Sequence, residues 1–366
     1  MNAIDSTLPV GTKLKGKYEI KCHLSSGGFG NTYLAVYGSL KEKVAVKEFF
    51  MRDVNEREDD GVTVSISRRN DNAAAFLSQI DKFKKEARRL SQINNIHVVK
   101  VHDLFEENGT AYYVMDFVNG YDLSERLNRR KRPYAEKTIV NYLRQILDGL
   151  DAVHSKGLLH LDIKPKNIML TSNGYVKLID FGASKEYIAG AGATIFSGIA
   201  MTKKYAPPEQ IDGSYDKMGP WSDFYALGAT LYKLLTLQEP PTYTMIYEDP
   251  SKAFQTSEIS DKMKTLVVWM MQPNRTERPQ DVSEIIDFLD STKTTTIPAN
   301  ISSISPTTTV TVGGDNTMSI YPPKEERPHT HPQKNGKDDE FSPVGCVYMI
   351  AIVVIIALII KYIFLT

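Results

Sequence analysis

The sequence predicts an α+β fold built on more than one hydrophobic core, followed by a flexible tether and one C-terminal transmembrane helix. Three observations carry this. A chain of 366 residues exceeds what a single core serves comfortably, so two lobes or two domains are expected. Short runs rich in β-branched and aromatic residues, at Tyr18–Leu24, Thr32–Val36 and Val44–Lys47, precede a helix-like stretch at Phe83–Leu90. Beyond Ser291 the composition changes twice, first to Ser, Thr and Pro, then to an uncharged aliphatic run.

Charge and cysteine content narrow the classes. Lys plus Arg number 44 and Asp plus Glu number 44, which removes the electrostatic case for a nucleic-acid partner. Cys22 and Cys346 stand at opposite ends of the chain and suit neither a disulfide framework nor a cysteine-rich metal site. Met1–Pro9 has no basic start and no apolar run, so no signal peptide is read there. The bulk of the chain reads as a reduced, intracellular globular protein.

From Val344 to Ile360 there is no charged residue, and Lys361 interrupts the run before Tyr362–Leu365. As a helix, residues 344–365 extend roughly 33 Å, enough to cross a hydrocarbon core. A buried helix of a soluble core would show a polar face, and this segment has none. Lys324, Arg327, Lys334 and Lys337 precede the span, so the positive-inside rule places the long N-terminal part in the cytoplasm. Residues 291–343 hold Thr294–Thr296, Thr307–Thr309 and five prolines from Pro322 to Pro343. Such a segment cannot bury enough apolar surface to offset its ordering entropy and reads as a disordered linker.

The chemistry starts at Ser25, Ser26, Gly27, Gly28, Phe29, Gly30 and Asn31, between two strand-like runs. A glycine-rich turn can be a hairpin with no ligand. A dinucleotide fold would need a helix straight after the glycines, whereas Thr32, Tyr33 and Val36 indicate a strand. The functional reading is a hairpin whose backbone approaches phosphates. Farther on come His160-Leu161-Asp162-Ile163-Lys164-Pro165-Lys166-Asn167 and Lys177-Leu178-Ile179-Asp180-Phe181-Gly182. Asp162, Lys164, Asn167 and Asp180 are a base, a cation and two oxygen ligands, the types that phosphoryl transfer needs. By themselves they could be solvated loop residues, which is the lesser reading of the cluster.

In order and spacing, these motifs make residues 18–290 resemble a eukaryotic-type (Hanks-type) Ser/Thr protein kinase domain of the kind also found in bacteria. Ala45-Val46-Lys47 resembles the strand that carries the phosphate-binding lysine, and Glu86 the helical partner of that lysine. Pro207-Pro208-Glu209 occupies the Ala-Pro-Glu position. Asp223 looks like the start of the core helix of the large lobe, and Arg278 like the arginine that pairs with Glu209. The resemblance implies a small β-rich lobe (18–118), a large helical lobe (119–290) and an N-terminal extension (1–17). ATP and Mg²⁺ would bind between the lobes. Lys47 would hold the α- and β-phosphates, and Asp162 would take the proton of the substrate hydroxyl. Lys164 would neutralise the γ-phosphoryl group, and Asn167 and Asp180 would hold Mg²⁺. Met115 resembles the gatekeeper before the hinge Asp116-Phe117-Val118, and Asp122 is placed to meet the ribose. Lys164 and Thr202 match Ser/Thr rather than tyrosine kinases. Protein hydroxyls are the implied substrates, and shared tethering would favour transient self-association and autophosphorylation.

Departures from the family pattern are specific. Ser25 stands at the first glycine of the loop, where a serine bears more cost for positive φ, and a small adjustment is expected there, with Gly27 and Gly30 at the other two glycine positions. Thr32 replaces the usual valine over the adenine. Leu161 replaces the arginine that meets an activation-loop phosphate, so activity is expected without phosphorylation at Thr194 or Ser197. Residues 51–75 read as a solvated charged insertion or an extra hairpin, with Arg57 among the solvated charges. The departures at Ser25, Thr32 and Leu161 also motivate a rival reading, a pseudokinase serving as a membrane-bound scaffold.

Overall fold

The computed structural model describes residues 6–291, apart from 29, 53, 67–71, 182–184, 187–203, 250–252 and 255–257. The linker beyond Ser291, the expected span at 344–365, and Phe29, Thr194, Ser197 and Thr202 therefore lie outside the described residues. No helix among the described residues is long and apolar enough to cross a membrane.

The small lobe is an antiparallel sheet in the order β1-β2-β3-β4-β8-β7. Its strands are β1 (Lys13–Leu14), β2 (Tyr18–Gly27), β3 (Gly30–Tyr37) and β4 (Glu42–Phe49), then β7 (Val101–Glu107) and β8 (Thr110–Asp116). Between β4 and β7 come a hairpin of β5 (Asn55–Arg57) and β6 (Val64–Ile66), then helix α1 (Asn72–Leu90). Side chains alternate across a strand. Accordingly Val44 and Val46 join Leu14, Ile20 and Tyr33 in a core on one face of the sheet, while Ala45 and Phe49 join the larger core on the other. Phe76, Ile80, Phe83, Ala87 and Leu90 recur at helical spacing on α1 and are all buried. They seat α1 on the sheet, with the Phe83 ring 5.0 Å from Tyr113 and 5.5 Å from Phe49. The β7–β8 turn is Asn108-Gly109, with φ of 52° and 73°, as a two-residue hairpin turn with both central residues left-handed requires.

Two expectations change here. The segment read as an extension before the domain is part of the small lobe: β1 pairs with β2, and Leu8 and Leu14 are buried in its outer core. The insertion is indeed a hairpin, but Arg57 is not a solvated charge. Its side chain is 1% exposed, against a Glu48 carboxylate that is 0% exposed. A charge run alone cannot show that one member has a buried counter-ion waiting on another strand.

The large lobe opens with β9 (Gly120–Asp122), α2 (Leu123–Arg130) and α3 (Glu136–His154), followed by β10 (Leu158–Leu159). Strands β11 (Ile168–Thr171) and β12 (Val176–Leu178) form a small sheet with β9, and β13 (Lys185–Glu186) pairs with β10. Helices α4 (Pro208–Ile211), α5 (Pro220–Thr236), α6 (Tyr243–Glu248), α7 (Asp261–Met270) and α8 (Val282–Asp290) complete it. Helix α5 is buried around nearly its whole circumference, from Ser222 to Tyr232 without a break, which marks it as the central element of the lobe.

One buried ion pair ties α4 to the loop before α8. Arg278 donates from both terminal nitrogens to the two oxygens of Glu209, at 2.8 and 3.0 Å. Its Nε bonds the Gln272 carbonyl at 2.6 Å, Ser222 donates to Glu209 at 2.8 Å, and the guanidinium lies 4.8 Å from the Tyr225 ring centroid. A buried pair with every valence used is strongly destabilising to break from one side. Arg278→Ala is therefore expected to lower stability by about 3–5 kcal/mol. Both tryptophans, Trp221 and Trp269, lie in the large lobe, so denaturant titration followed by their fluorescence reads this loss directly. An unchanged midpoint would refute the assignment.

Candidate active site

Between the lobes lies a cleft of about 540 Å³. From the small lobe it is lined by Ser25, Ser26, Gly27, Gly28, Gly30, Thr32, Ala45 and Lys47. Met115, Asp116, Val118 and Asp122 line its back, and Asp162, Lys164, Asn167 and Asp180 its floor. Positions separated by more than a hundred residues thus converge on one cavity.

The roof depends on a close approach. A Cβ on Gly30 would stand 2.1 Å from the Glu48 carbonyl oxygen, so only glycine lets β3 begin beside β4 there. Ser25 needs no left-handed backbone: it pairs with Thr32 inside β2, past a register shift between His23 and Ser25, and does not have positive φ. The cost expected of a serine at this position does not arise, because an irregular strand accommodates what a glycine turn would. Thr32 lies opposite Lys47 in the β3–β4 register. Asp122 caps α2, accepting the Glu125 N–H at 2.8 Å, and burial pushes its carboxyl up from the ordinary range.

The floor is fixed by a carboxylate outside the cleft. Asp223, fully buried on α5, accepts the backbone N–H groups of His160 and Leu161 at 2.9 and 2.7 Å and the His154 ring at 2.8 Å. Burial raises its pKa, but the hydrogen bonds from the His154 ring and the His160 backbone N–H oppose that, and it lies below the ordinary value. Leu161 is thereby kept at φ 58°, a left-handed conformation costing a leucine roughly 1–2 kcal/mol. Its side chain is buried against Leu159 and Met218 with Tyr215 alongside. The His160 ring reaches the Ile179 carbonyl through Nε2 at 3.1 Å. A carbonyl only accepts, so Nε2 carries the proton and Nδ1 is left to accept the Asp162 N–H at 3.3 Å. Burial lowers the His160 pKa, in keeping with this neutral form. Phe181, itself buried, packs with its centroid 4.4 Å from the His160 ring.

Within the cleft, Lys164 and Asn167 both bond Oδ2 of Asp162, each at 2.8 Å, and Asn167 also bonds the Asp162 carbonyl at 2.8 Å. Lys47 makes an ion pair with Asp180 at 2.6 Å. Burial alone would push the Lys47 ammonium down, but the charges of Asp180, the Tyr113 oxygen and Glu86 more than offset it and the pKa is raised. Glu86, on α1, is thus close enough to act on Lys47, while the 2.6 Å pair is with Asp180. The Lys47 charge, opposed by burial, holds the Asp180 carboxyl at about 2. Asp180 also sits at positive φ, 59°.

Several lining residues escaped sequence reading: Leu24, Val99, Met169 and Ile179 as apolar walls, and Glu125 and Lys166 at the rim. Lys166 and Ile179 lie within the motifs but carry no distinguishing chemistry, Val99 is near none of them, and walls of Val, Ile, Leu and Met look like any core.

A small antiparallel lobe, a helical lobe and a cleft holding a lysine–aspartate pair beside an aspartate–lysine–asparagine group define the protein kinase class of fold. The family model for the protein kinase domain matches residues 18–288, and the chain belongs to that family. It is 33% identical over 230 residues to the serine/threonine-protein kinase PknL of Mycobacterium tuberculosis, covering 63% of this chain and 51% of that protein. It is 30% identical over 231 residues to PrkC of Bacillus subtilis, covering 63% of this chain and 32% of that one. The chain thus spans about half the length of PknL and a third of PrkC. Among solved structures, the apo form of PpkA-294 aligns with a TM-score of 0.64 at 26% identity, covering 78% of this chain and 100% of the other.

The depressed Asp180 pKa carries a pH signature. A carboxyl lowered in the folded state adds stability above its unfolded pKa of about 3.9, and this is lost as pH falls through about 2. Asp180→Asn should therefore be less stable than the parent near neutrality, with the gap closing between about pH 4 and pH 2. Denaturant midpoints measured across that range decide it. A gap independent of pH would show that the Lys47 pair does not depress this carboxyl.

Proposed function

We propose that this chain is a membrane-anchored serine/threonine protein kinase that transfers the ATP γ-phosphate to protein hydroxyls. The observation that carries the proposal is the cleft-spanning Lys47–Asp180 ion pair at 2.6 Å beside an Asp162 carboxylate held by Lys164 and Asn167 at 2.8 Å. These are a phosphate-binding cation, a proton acceptor with fixed orientation and hard oxygen donors in one cavity.

Each residue then has a defined task. Lys47 binds the α- and β-phosphates, and the glycine-rich roof covers them with backbone. Met115, Asp116 and Val118 receive the adenine, and Asp122 the ribose. Asp162 accepts the proton of the substrate Ser or Thr hydroxyl as its oxygen bonds the γ-phosphorus. The bond from that phosphorus to the β–γ bridging oxygen breaks, ADP leaves, and Lys164 offsets charge on the moving group. Asp180 and Asn167 fit a divalent cation. Asp180 is ionised and half-exposed, and the Asn167 amide N–H₂, committed to Asp162, turns its carbonyl oxygen elsewhere. Mg²⁺ held by them would supply positive charge against the phosphates.

The finer parts of the proposal have their own support. Ser and Thr specificity follows Lys164 within Asp-x-Lys-x-x-Asn, Thr202, and the naming of the relatives as serine/threonine kinases. Independence from loop phosphorylation is supported by Leu161, whose buried apolar side chain stands where a phosphate-binding arginine would otherwise be. Anchoring with the kinase domain in the cytoplasm rests on the uncharged run before Lys361 and the basic residues preceding it. A shared anchor raises local concentration, which favours autophosphorylation between copies.

The test is phosphate transfer from labelled ATP with Mg²⁺ by the full chain. Label on Ser and Thr is expected in the parent, with a loss of about 100-fold or more in Asp162→Asn. Thr194→Ala and Ser197→Ala are expected to keep most of the activity. No transfer with nucleotide binding intact would instead favour the scaffold reading, and loss of activity in either alanine variant would sink the independence from loop phosphorylation.

Anchoring is checked separately by fractionation. The full chain should sediment with membranes and resist alkaline extraction, and a chain ending at residue 343 should not. Equal distribution of the two would remove the anchor.

A further inference from the structure

Away from the floor of the cleft, the small lobe buries a second charge cluster with no part in the mechanism above. The Glu48 carboxylate, 0% exposed, lies on the face of β4 opposite Lys47. It receives Arg57 at 2.8 Å, the Tyr33 hydroxyl at 2.8 Å, the Tyr112 hydroxyl at 3.2 Å and the Asn31 amide at 3.2 Å. Burial first, and then the Glu48 charge, push both phenols up, so they remain donors. Arg57 comes from the inserted hairpin, and its other bonds go to the Val62 and Ser6 carbonyls, each at 2.9 Å. One guanidinium therefore ties hairpin, N-terminal segment and β4 together. The hairpin in turn is pinned to the β7–β8 turn by Val64 N–H to the Asn108 carbonyl at 2.8 Å.

Asn31 carries this cluster into the nucleotide loop. Its Nδ2 donates to Glu48 and, at 3.0 Å, to the Ser6 carbonyl. Both partners only accept, which fixes the amide orientation without ambiguity. Oδ1 then faces the loop and accepts the Ser26 hydroxyl at 2.7 Å. With the Ser26 proton so committed, the His23 Nε2 contact at 2.8 Å has the ring donating. Ser26 lines the cleft, and its side chain is held by a chain of bonds running back to Arg57. A buried carboxylate with four donors is rigid, and that rigidity is transmitted to whatever hangs from it.

We infer that Arg57 and Glu48 are positioning residues for the nucleotide loop, acting through Asn31 on Ser26, so that the inserted hairpin and the N-terminal segment set the affinity for ATP. This rests on the kinase reading for its ligand. Neither residue touches the cleft; each sets how much order the loop already has before nucleotide arrives, and ordering in advance lowers the cost of binding.

The experiment compares the full-length parent with Arg57→Met, Arg57→Lys, Asn31→Ala and the Arg57→Met/Asn31→Ala double variant. Two readouts are taken: Mg–ATP affinity by titration against a fluorescent ATP analogue, and KM and kcat for transfer. Arg57→Met should weaken ATP binding and raise KM about tenfold with kcat within twofold, and Arg57→Lys should recover part of the loss. Asn31→Ala, which leaves the ion pair in place and so tolerates any folding defect of the Arg57 variants, should weaken binding to a similar degree. The double variant should be no worse than the weaker single one, as for two links of one chain. ATP affinity within twofold of the parent in Asn31→Ala, or fully additive losses in the double variant, would overturn the inference. Because affinity is measured without turnover, a parent that binds ATP but transfers nothing would overturn the kinase proposal and leave this one to be judged on binding.

Discussion

The geometry of the cleft floor depends on one buried carboxylate. Asp223 accepts two successive backbone N–H groups and the His154 ring, and a carboxylate held in that way keeps its charge and its position. Everything above it inherits that position. His160 is held by its backbone, so its ring can meet the Ile179 carbonyl and support Phe181. Asp162 follows, directed by the His160 Nδ1 acceptor and the Lys164 and Asn167 donors. Asp223 holds the left-handed Leu161 backbone from its N–H side, and Gln210 holds it from the carbonyl side at 2.9 Å.

In the roof the same role falls to the alternation of β4. Lys47 and Glu48 are neighbours in sequence and point to opposite faces of one strand. Lys47 enters the cleft and meets Asp180 across it. Glu48 enters the outer face and gathers Arg57, Tyr33, Tyr112 and Asn31. In the register Asn31 faces Glu48 and Thr32 faces Lys47, so each position of β3 serves the face its β4 partner serves. A one-residue slip would exchange the two sets, placing a carboxylate in the cleft where Lys47 stands. The tight Gly30 contact with the Glu48 carbonyl helps to fix the register against that slip.

What could be read from the sequence follows from this division. Strands, α1, the glycine loop and the cleft residues were legible because each announces itself locally, by period or by motif; chain length pointed to two lobes or two domains, and the resemblance supplied their arrangement. Asp223, Glu209 and Arg278 were legible only through resemblance, since a buried aspartate and a surface one look alike in a string. The small adjustment expected at Ser25 takes the form of a register shift in β2, which no residue type signals and which removes the need for positive φ. Arg57 was misjudged for the converse reason: its counter-ion lies on another strand, and its neighbours Glu56 and Glu58 are exposed. The burial of Leu8 and Leu14 could not be read, because two apolar residues in a polar stretch carry no period. Register decides the first case and burial against a distant partner the other three, not local pattern.

Leu161 and Asp180 share positive φ, at 58° and 59°, the first next to Asp162 and the second in the cleft floor itself. Strain of this kind survives only where surrounding contacts over-determine it. Each case costs roughly 1–2 kcal/mol, and each is held by a hydrogen bond to a charged group, a class worth about 1.5–3 kcal/mol. For Leu161 the bond is its own N–H to Asp223; for Asp180 it is the Lys47 ammonium. The balance is favourable but narrow in both cases. It follows that the floor is set before any ligand enters, by α5 on one side and β4 on the other. The two anchors differ in one respect that bears on function. Asp223 is sealed from solvent and has no competitor, whereas Asp180 opens to the cleft, so a cation or phosphate arriving there competes directly for Lys47 and Asp180. The Leu161 side of the floor is therefore permanent, and the Asp180 side is the part that ligand binding can rearrange.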